Sequence, residues 1–187
     1  RLPEGLDAGR AIAAFERAGM HARMVGARQE AVGHLREAIR LAPEEEHMRL
    51  HELLGDVSAW GDEALDGYRA AYERWRALDP SRRDEVQGAR LLRKRLVVEV
   101  RWTGSISSPA GEGELDRLFA EAEALLARTP DTEERARLDI LMPFRTRFGG
   151  PKDEALDEAR LAAAMRARDH FDARGDANAV SEALDGI

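Results

Sequence analysis

The stretch FERAGMHARMVGARQEAVGHLREAIRLAP, Phe15 to Pro43, decides how the chain is built. Phe15, Ala18, Gly19 and Ala22 fall on one helical face, Gly26 interrupts it, and Ala31, Leu35 and Ala38 form a second face before Pro43. Small residues on one helix leave room for a bulky residue on an antiparallel neighbour. Glycine permits the turn between them, and proline, which lacks an N–H, stops the second helix. The spacing predicts a first helix from about Asp7 to Val25 and a second from about Arg28 to Leu41. Their inner stripes are Ile12, Phe15, Ala18 and Gly19, and then Ala31, Leu35, Ala38 and Ile39. A hairpin of this kind covers only one of its faces, so neighbouring pairs must bury the rest.

This set of positions resembles the tetratricopeptide repeat, W-x2-L-G-x2-Y…A-x3-F…P. The resemblance implies an all-α fold, an irregular superhelix of about nine antiparallel helices in a single domain spanning 1–187. The expected pairs are 7–43, 44–80, 81–130 and 131–174, with a partial unit at 175–187. The alanine-equivalent positions Ala31, Ala64, Leu115 and Ala155 lie 33, 51 and 40 residues apart. A regular array would hold about 34 throughout, so the repeats are degenerate.

Along the rest of the chain, Glu44, Glu45 and Glu46 open a third helix, where acidic residues suit the positive end of the dipole. Leu50, Leu53, Leu54, Val57 and Trp60 are its apolar side. Asp62 is the expected N-cap of a fourth helix that carries Ala64, Tyr68 and Ala71 and runs to Leu78. Ser81 with Asp84 reads as a capping box opening the fifth. Leu96–Trp102 has the valines of a strand, but no second strand exists to pair with it, and helix is the assignment. Residues 103–113, TGSISSPAGEG, form the longest loop. Leu115, Leu118, Phe119, Ala122, Leu125 and Leu126 mark a sixth helix ending at Thr129-Pro130. Asp131 and Glu134 cap a seventh, with Leu138, Leu141, Phe144 and Phe148 inward and Pro143 kinking or splitting it. Gly149-Gly150-Pro151 is a break. An eighth helix over about 152–174 has Ala155, Ala159 and Ala162 at repeat spacing, and Gly175-Asp176 starts a short ninth.

Composition limits the chemistry. The 187 residues carry a net charge of −7, which argues against nucleic acid or an anionic membrane as partner. There is no cysteine, which removes disulfides, thiolate catalysis and Cys-ligated metals. The absence of a long apolar run or signal-peptide pattern favours the cytoplasm. Arg1 at one end and ALDGI at the other are read as the edges of a piece of a longer protein.

Two further stretches are more specific. RWTGSISSPAGEGELDRLFAEAEALL (Arg101–Leu126) sets a Trp-x-Gly loop before a helix, and ARGDANAVSEALDGI (Ala173–Ile187) follows Gly-Asp with small residues and Ala-Leu. Both resemble the C-terminal helical repeats of bacterial signal-transduction P-loop ATPases that carry cyclase or helix-turn-helix modules. The resemblance implies a sensor or docking arm attached to an ATPase switch. No catalytic residue carries over, because G-x-x-x-x-G-K-[ST] is absent from the chain.

Mapped on the repeat, a concave groove would be lined by Ala13, Glu16, Met20 and Arg23, then Arg49, Glu52 and Asp56. Mixed charge there suits a polar peptide or a neighbouring domain. Arg90, Arg93, Lys94 and Arg95 form the densest basic cluster. It could grip an acidic peptide or a phosphate, or be a solvated face balanced by Asp84, Glu85 and Glu99; without interleaved aromatics it does not suit nucleic acid. His47 and His51 could share a helix face as metal ligands do, but position 48 is Met and no third ligand is evident, so a solvated surface is the simpler reading. Trp60, Trp75 and Trp102 stand out among the aromatics, and Trp102 is expected to pin the 103–113 loop to the core.

These readings converge on a non-catalytic protein–protein or interdomain scaffold, with no cofactor and no metal. The alternative is a small-molecule sensor holding its effector between helix pairs near the 103–113 loop.

Overall fold

Asp7 caps the first helix, its carboxylate accepting from the Gly9 N–H at 3.0 Å, and α1 runs Ala8–Met24. The computed structural model describes residues 7–129, 131–146 and 154–185; expectations for residues 1–6, Pro130, Phe148 and Gly149-Gly150-Pro151 lie outside them. α1 ends in a Schellman turn. Gly26 takes φ +78°, its N–H donates to Arg23 O, and the Ala27 N–H donates to Ala22 O at 2.8 Å. α2 (Arg28–Leu41) comes after that three-residue connection, so it packs antiparallel to α1. It stops where Ala42, forced extended by the proline after it, takes ψ 147°. α3 (Glu44–Ser58) starts directly with the three glutamates, and α4 is Asp62–Ala77.

The sequence pattern has a direct packing counterpart. A Cβ added to Gly19 would sit 3.2 Å from both Ala31 O and the Leu35 side chain. The same contact recurs one pair later, where a Cβ on Gly55 would fall 2.4 Å from the Tyr68 ring. Gly67 is tighter in another sense: its Cβ would meet backbone, Gly55 N at 2.8 Å and His51 O at 2.9 Å. The α3–α4 seam is therefore a backbone-to-backbone approach that only glycine allows. Around these seams Val32, Leu35, Leu54 and Val57 pack as one buried group, and Ile12, Ala38 and Leu50 as another. Burying each of the valine, leucine and isoleucine side chains is worth roughly 1.5–3 kcal/mol.

Asp62 is not the N-cap of α4. Gly61, at φ +81°, holds that position, and Asp62 instead accepts from the Ser107 N–H at 2.7 Å and the Ser107 hydroxyl at 2.6 Å. The short α3–α4 connection also sets Ala59 at φ 64°, an uncommon place for a side chain with a Cβ. Trp60 is exposed rather than part of the apolar side of α3, with the Arg28 guanidinium over its ring.

The chain divides into two compact units, Arg1–Arg83 with Gly104–Ser107, and Asp84–Thr103 with Ser108–Ile187. The second contains α5 (Glu85–Arg101), α6 (Glu112–Leu126), α7 (Thr132–Asp139), α8 (Glu154–Asp172) and α9 (Ala177–Leu184). α5 packs on α6, α7 on α8, and α8 on α9. Among the described residues there is no strand, and the fold is all-α.

The expected Ser81 capping box is not formed. Asp79 takes Ser81 into a 3-10 turn over Pro80–Arg82, and Asp84 caps α5 alone through the Val86 and Gln87 N–H groups. The valine-rich end of α5 is helical to Arg101, with Val98 and Val100 buried. Asp131 caps α7 by accepting from the Glu134 N–H at 2.7 Å. Pro143 splits the predicted seventh helix: α7 stops at Asp139, the carbonyl its ring would strike, and a 3-10 segment covers Met142–Thr146. A second turn with the α1 geometry closes α8 at Gly175, φ +72°, and Asp176 then caps α9 through the Ala179 N–H. Phe119, Leu138, Leu141 and Phe171 are among the buried side chains of this unit.

Candidate functional site

α1 and α3 bring part of the predicted groove together. The Arg49 guanidinium grips Glu16 with two bonds, 2.7 and 2.8 Å, and reaches Glu46 one turn back at 2.7 Å. Those bonds hold the Glu16 carboxyl below its ordinary range, and the two carboxylates raise Arg49 in turn. Met20 and Arg23 are exposed further along α1, and Ala13 is half-buried. Glu52 and Asp56 belong to the packing of this unit instead. Glu52 is buried, and Asp56 accepts from the Tyr68 hydroxyl at 2.9 Å, which fixes the ring that fills the space opposite Gly55. The face that remains open on these two helices is thus Met20, Arg23 and the Glu16–Arg49–Glu46 triad.

Two members of the basic cluster of α5 form interhelical pairs within the second unit. Arg93 binds Glu134 of α7, and Arg95 lies between Glu99 of its own helix and Glu114 of α6. Arg90 and Lys94 carry interactions too. Of the acids expected to balance the cluster, Glu85 serves another cation, Arg128, at 2.9 Å. Arg93 and Arg95 therefore tie α5 to its neighbours.

His47 and His51 meet edge to face at 6.2 Å between ring centroids, and the His47 Nε2 lies 3.0 Å from Ala42 O. Burial, the Arg74 charge and His47 lower the His51 pKa. Among the described residues, no group of three or more His, Cys, Asp or Glu is arranged to hold a metal ion, and no helix is long and apolar enough to cross a membrane.

Trp75 is buried and stacks on Tyr72 at 5.4 Å. Trp102 is 47% exposed. Glu99 anchors the loop in the second unit, its buried carboxylate accepting the Ala110 N–H at 2.8 Å while its carbonyl accepts the Thr103 hydroxyl. A carboxylate one turn before a loop leaves no distinctive sequence signal, whereas a large aromatic at the same place does.

A further cluster has no counterpart in the sequence pattern. Leu126, Thr129, Asp131, Thr132, Arg135, Ala136, Asp139, Arg166 and His170 line an open pocket of about 320 Å³ in the second unit. Asp139 is buried, and that burial raises its pKa against the opposing charges of Arg166 and Arg135. These residues come from three helices with 44 positions between the first and last, Leu126 and His170, and no local spacing links them.

No protein-family model, curated protein or solved structure matches the chain.

Proposed function

We propose that the chain is a non-catalytic interaction scaffold of tetratricopeptide-like helix pairs, the repeat arm of a larger bacterial signalling or transcriptional regulator. The observation that carries this reading is the repeated seam of the first unit. Gly19 against Leu35 and Gly55 against Tyr68 put a small residue of one helix opposite a bulky residue of the next, at equivalent places in two successive pairs. Such pairs supply surface rather than reactive groups. The open α1–α3 face, with Met20 and Arg23 beside a charged triad, suits a peptide or a neighbouring domain that offers both carboxylate and apolar groups. The sequence resemblance to ATPase-linked repeats supports placing that partner within a switch protein.

The coding sequence read outward from Arg1 and Ile187 tests the regulator part: an adjoining P-loop ATPase with a cyclase or helix-turn-helix module is the expected result, and a short protein without one refutes it. Given the parent, Arg23→Ala with Arg49→Ala should weaken binding of the partner domain while circular dichroism stays unchanged. Loss of helicity instead would remove the face from consideration.

A further inference from the structure

The cavity between α7 and α8 lies outside the proposed docking face and within the second unit. It is a pocket of about 320 Å³ that opens to solvent on one side. Leu126 and Ala136 give it an apolar side. Its polar groups come from facing helices: Arg135 and Asp139 on α7, Arg166 and His170 on α8.

Three features show polar capacity left over after folding. His170 Nε2 is buried with no hydrogen-bond partner, an unfavourable state for a polar atom. Arg166 spends one contact of 3.2 Å on Asp139 and is otherwise 63% exposed, so most of its fork is open. Arg135 makes no hydrogen bond or ion pair among the described residues, though its charge acts on Asp139. Two guanidinium groups on one pocket call for an anion, and two forks favour a carboxylate or phosphate over a halide. Asp139 changes the specification. A buried carboxylate beside the anion site repels a simple anion and accepts from a donor on the same ligand. Glu123 adds negative charge from α6.

We infer that this cavity binds a small carboxylate that also carries a hydrogen-bond donor, of the size of an amino acid or hydroxy acid. The carboxylate lies against Arg135 and Arg166, and the donor faces Asp139. This places an effector site about α7 and α8, not at the 103–113 loop. It does not depend on the scaffold reading, which concerns α1 and α3.

The test is thermal unfolding of the whole chain with L-glutamate, L-serine and L-malate, each at about 10 mM, and with acetate and inorganic phosphate as simple anions. A ligand at about one hundred times its Kd raises the folding constant about a hundredfold. The expected result is a rise in midpoint with at least one amino or hydroxy acid and none with acetate or phosphate, together with a shift of the His170 ring resonances. Arg135→Gln with Arg166→Gln should abolish both, whereas Arg128→Gln, on another ion pair, should leave them intact. Equal effects of phosphate and the acids would reduce the site to a general anion patch and overturn the inference. No effect of any of the three acids would overturn it as well. If the double variant fails to fold, Arg135→Gln alone, which breaks no ion pair, must reduce the midpoint rise.

Discussion

Replacing Gly67 by alanine tests whether α3 and α4 touch backbone to backbone. In an open helix the change is favourable, since alanine exceeds glycine by about 0.8–1.0 kcal/mol. At position 67 the new Cβ would stand 2.8 Å from Gly55 N, where ordinary contact begins at 3.4 Å, so the helices must part by about 0.6 Å. The obstacle is main chain, which cannot rotate aside. Overpacking of this kind costs about 1–3 kcal/mol. Gly33 supplies the control, because it lies inside α2, is exposed, and has nothing within 4 Å of its added Cβ. Gly33→Ala should therefore stabilise by nearly 1 kcal/mol, and Gly67→Ala should destabilise by about 1 kcal/mol after the propensity gain is subtracted. The gap between the two variants, about 2 kcal/mol, isolates the seam. Urea unfolding monitored by circular dichroism reads it as opposite shifts of the midpoint with unchanged slopes. If both variants gain stability equally, the close approach of α3 and α4 is wrong.

Four other outcomes are expected. Glu99→Ala should leave the Ala110 N–H without its acceptor and destabilise the second unit by about 1–3 kcal/mol; amide exchange at Ala110 no faster than wild type would count against the anchor. Asp131→Ala removes the cap of α7 and should cost about 1 kcal/mol, largely recovered by Asp131→Asn, in denaturant titrations. His51 has its folded pKa lowered from 6.5, so the unfolded chain takes up its proton first and stability should fall as pH drops below about 6.5. His51→Gln should flatten that slope, and an unchanged slope would show that His51 is not its source. Arg49→Ala should change stability by no more than about 1 kcal/mol, as exposed ion pairs do, and a larger loss would mean the Glu16 bond braces the fold.

The helices themselves are legible in the sequence because their stop signals are steric. Gly26 and Gly175 take positive φ, Pro43 and Pro143 cannot continue a helix, and each acts without help from distant residues. Caps are less legible where two polar residues compete within a turn. Asp62 has the chemistry of a cap, yet glycine at 61 leaves it free for Ser107, 45 residues on. Ser81 loses to Asp84 because Asp79 draws it into a tighter turn. The site is harder still. Spacing puts Glu16 and Arg49 on facing helices, but it does not tell that Glu52 turns inward. The α5 cations read as a solvated face balanced by nearby acids, because Glu134 and Glu114, which pair with Arg93 and Arg95, belong to later helices. The α7–α8 cavity is wholly a product of tertiary packing.

The fit of Gly55 to Tyr68 also bears on how this sequence can drift over evolutionary time. The ring occupies the volume that a side chain at 55 would need, and its hydroxyl is held by Asp56. Substitutions at 55 and 68 are therefore not independent: bulk admitted at one must be surrendered at the other. Descendants of this chain should show sizes at the two positions varying inversely, with an acceptor at 56 lost whenever the tyrosine is.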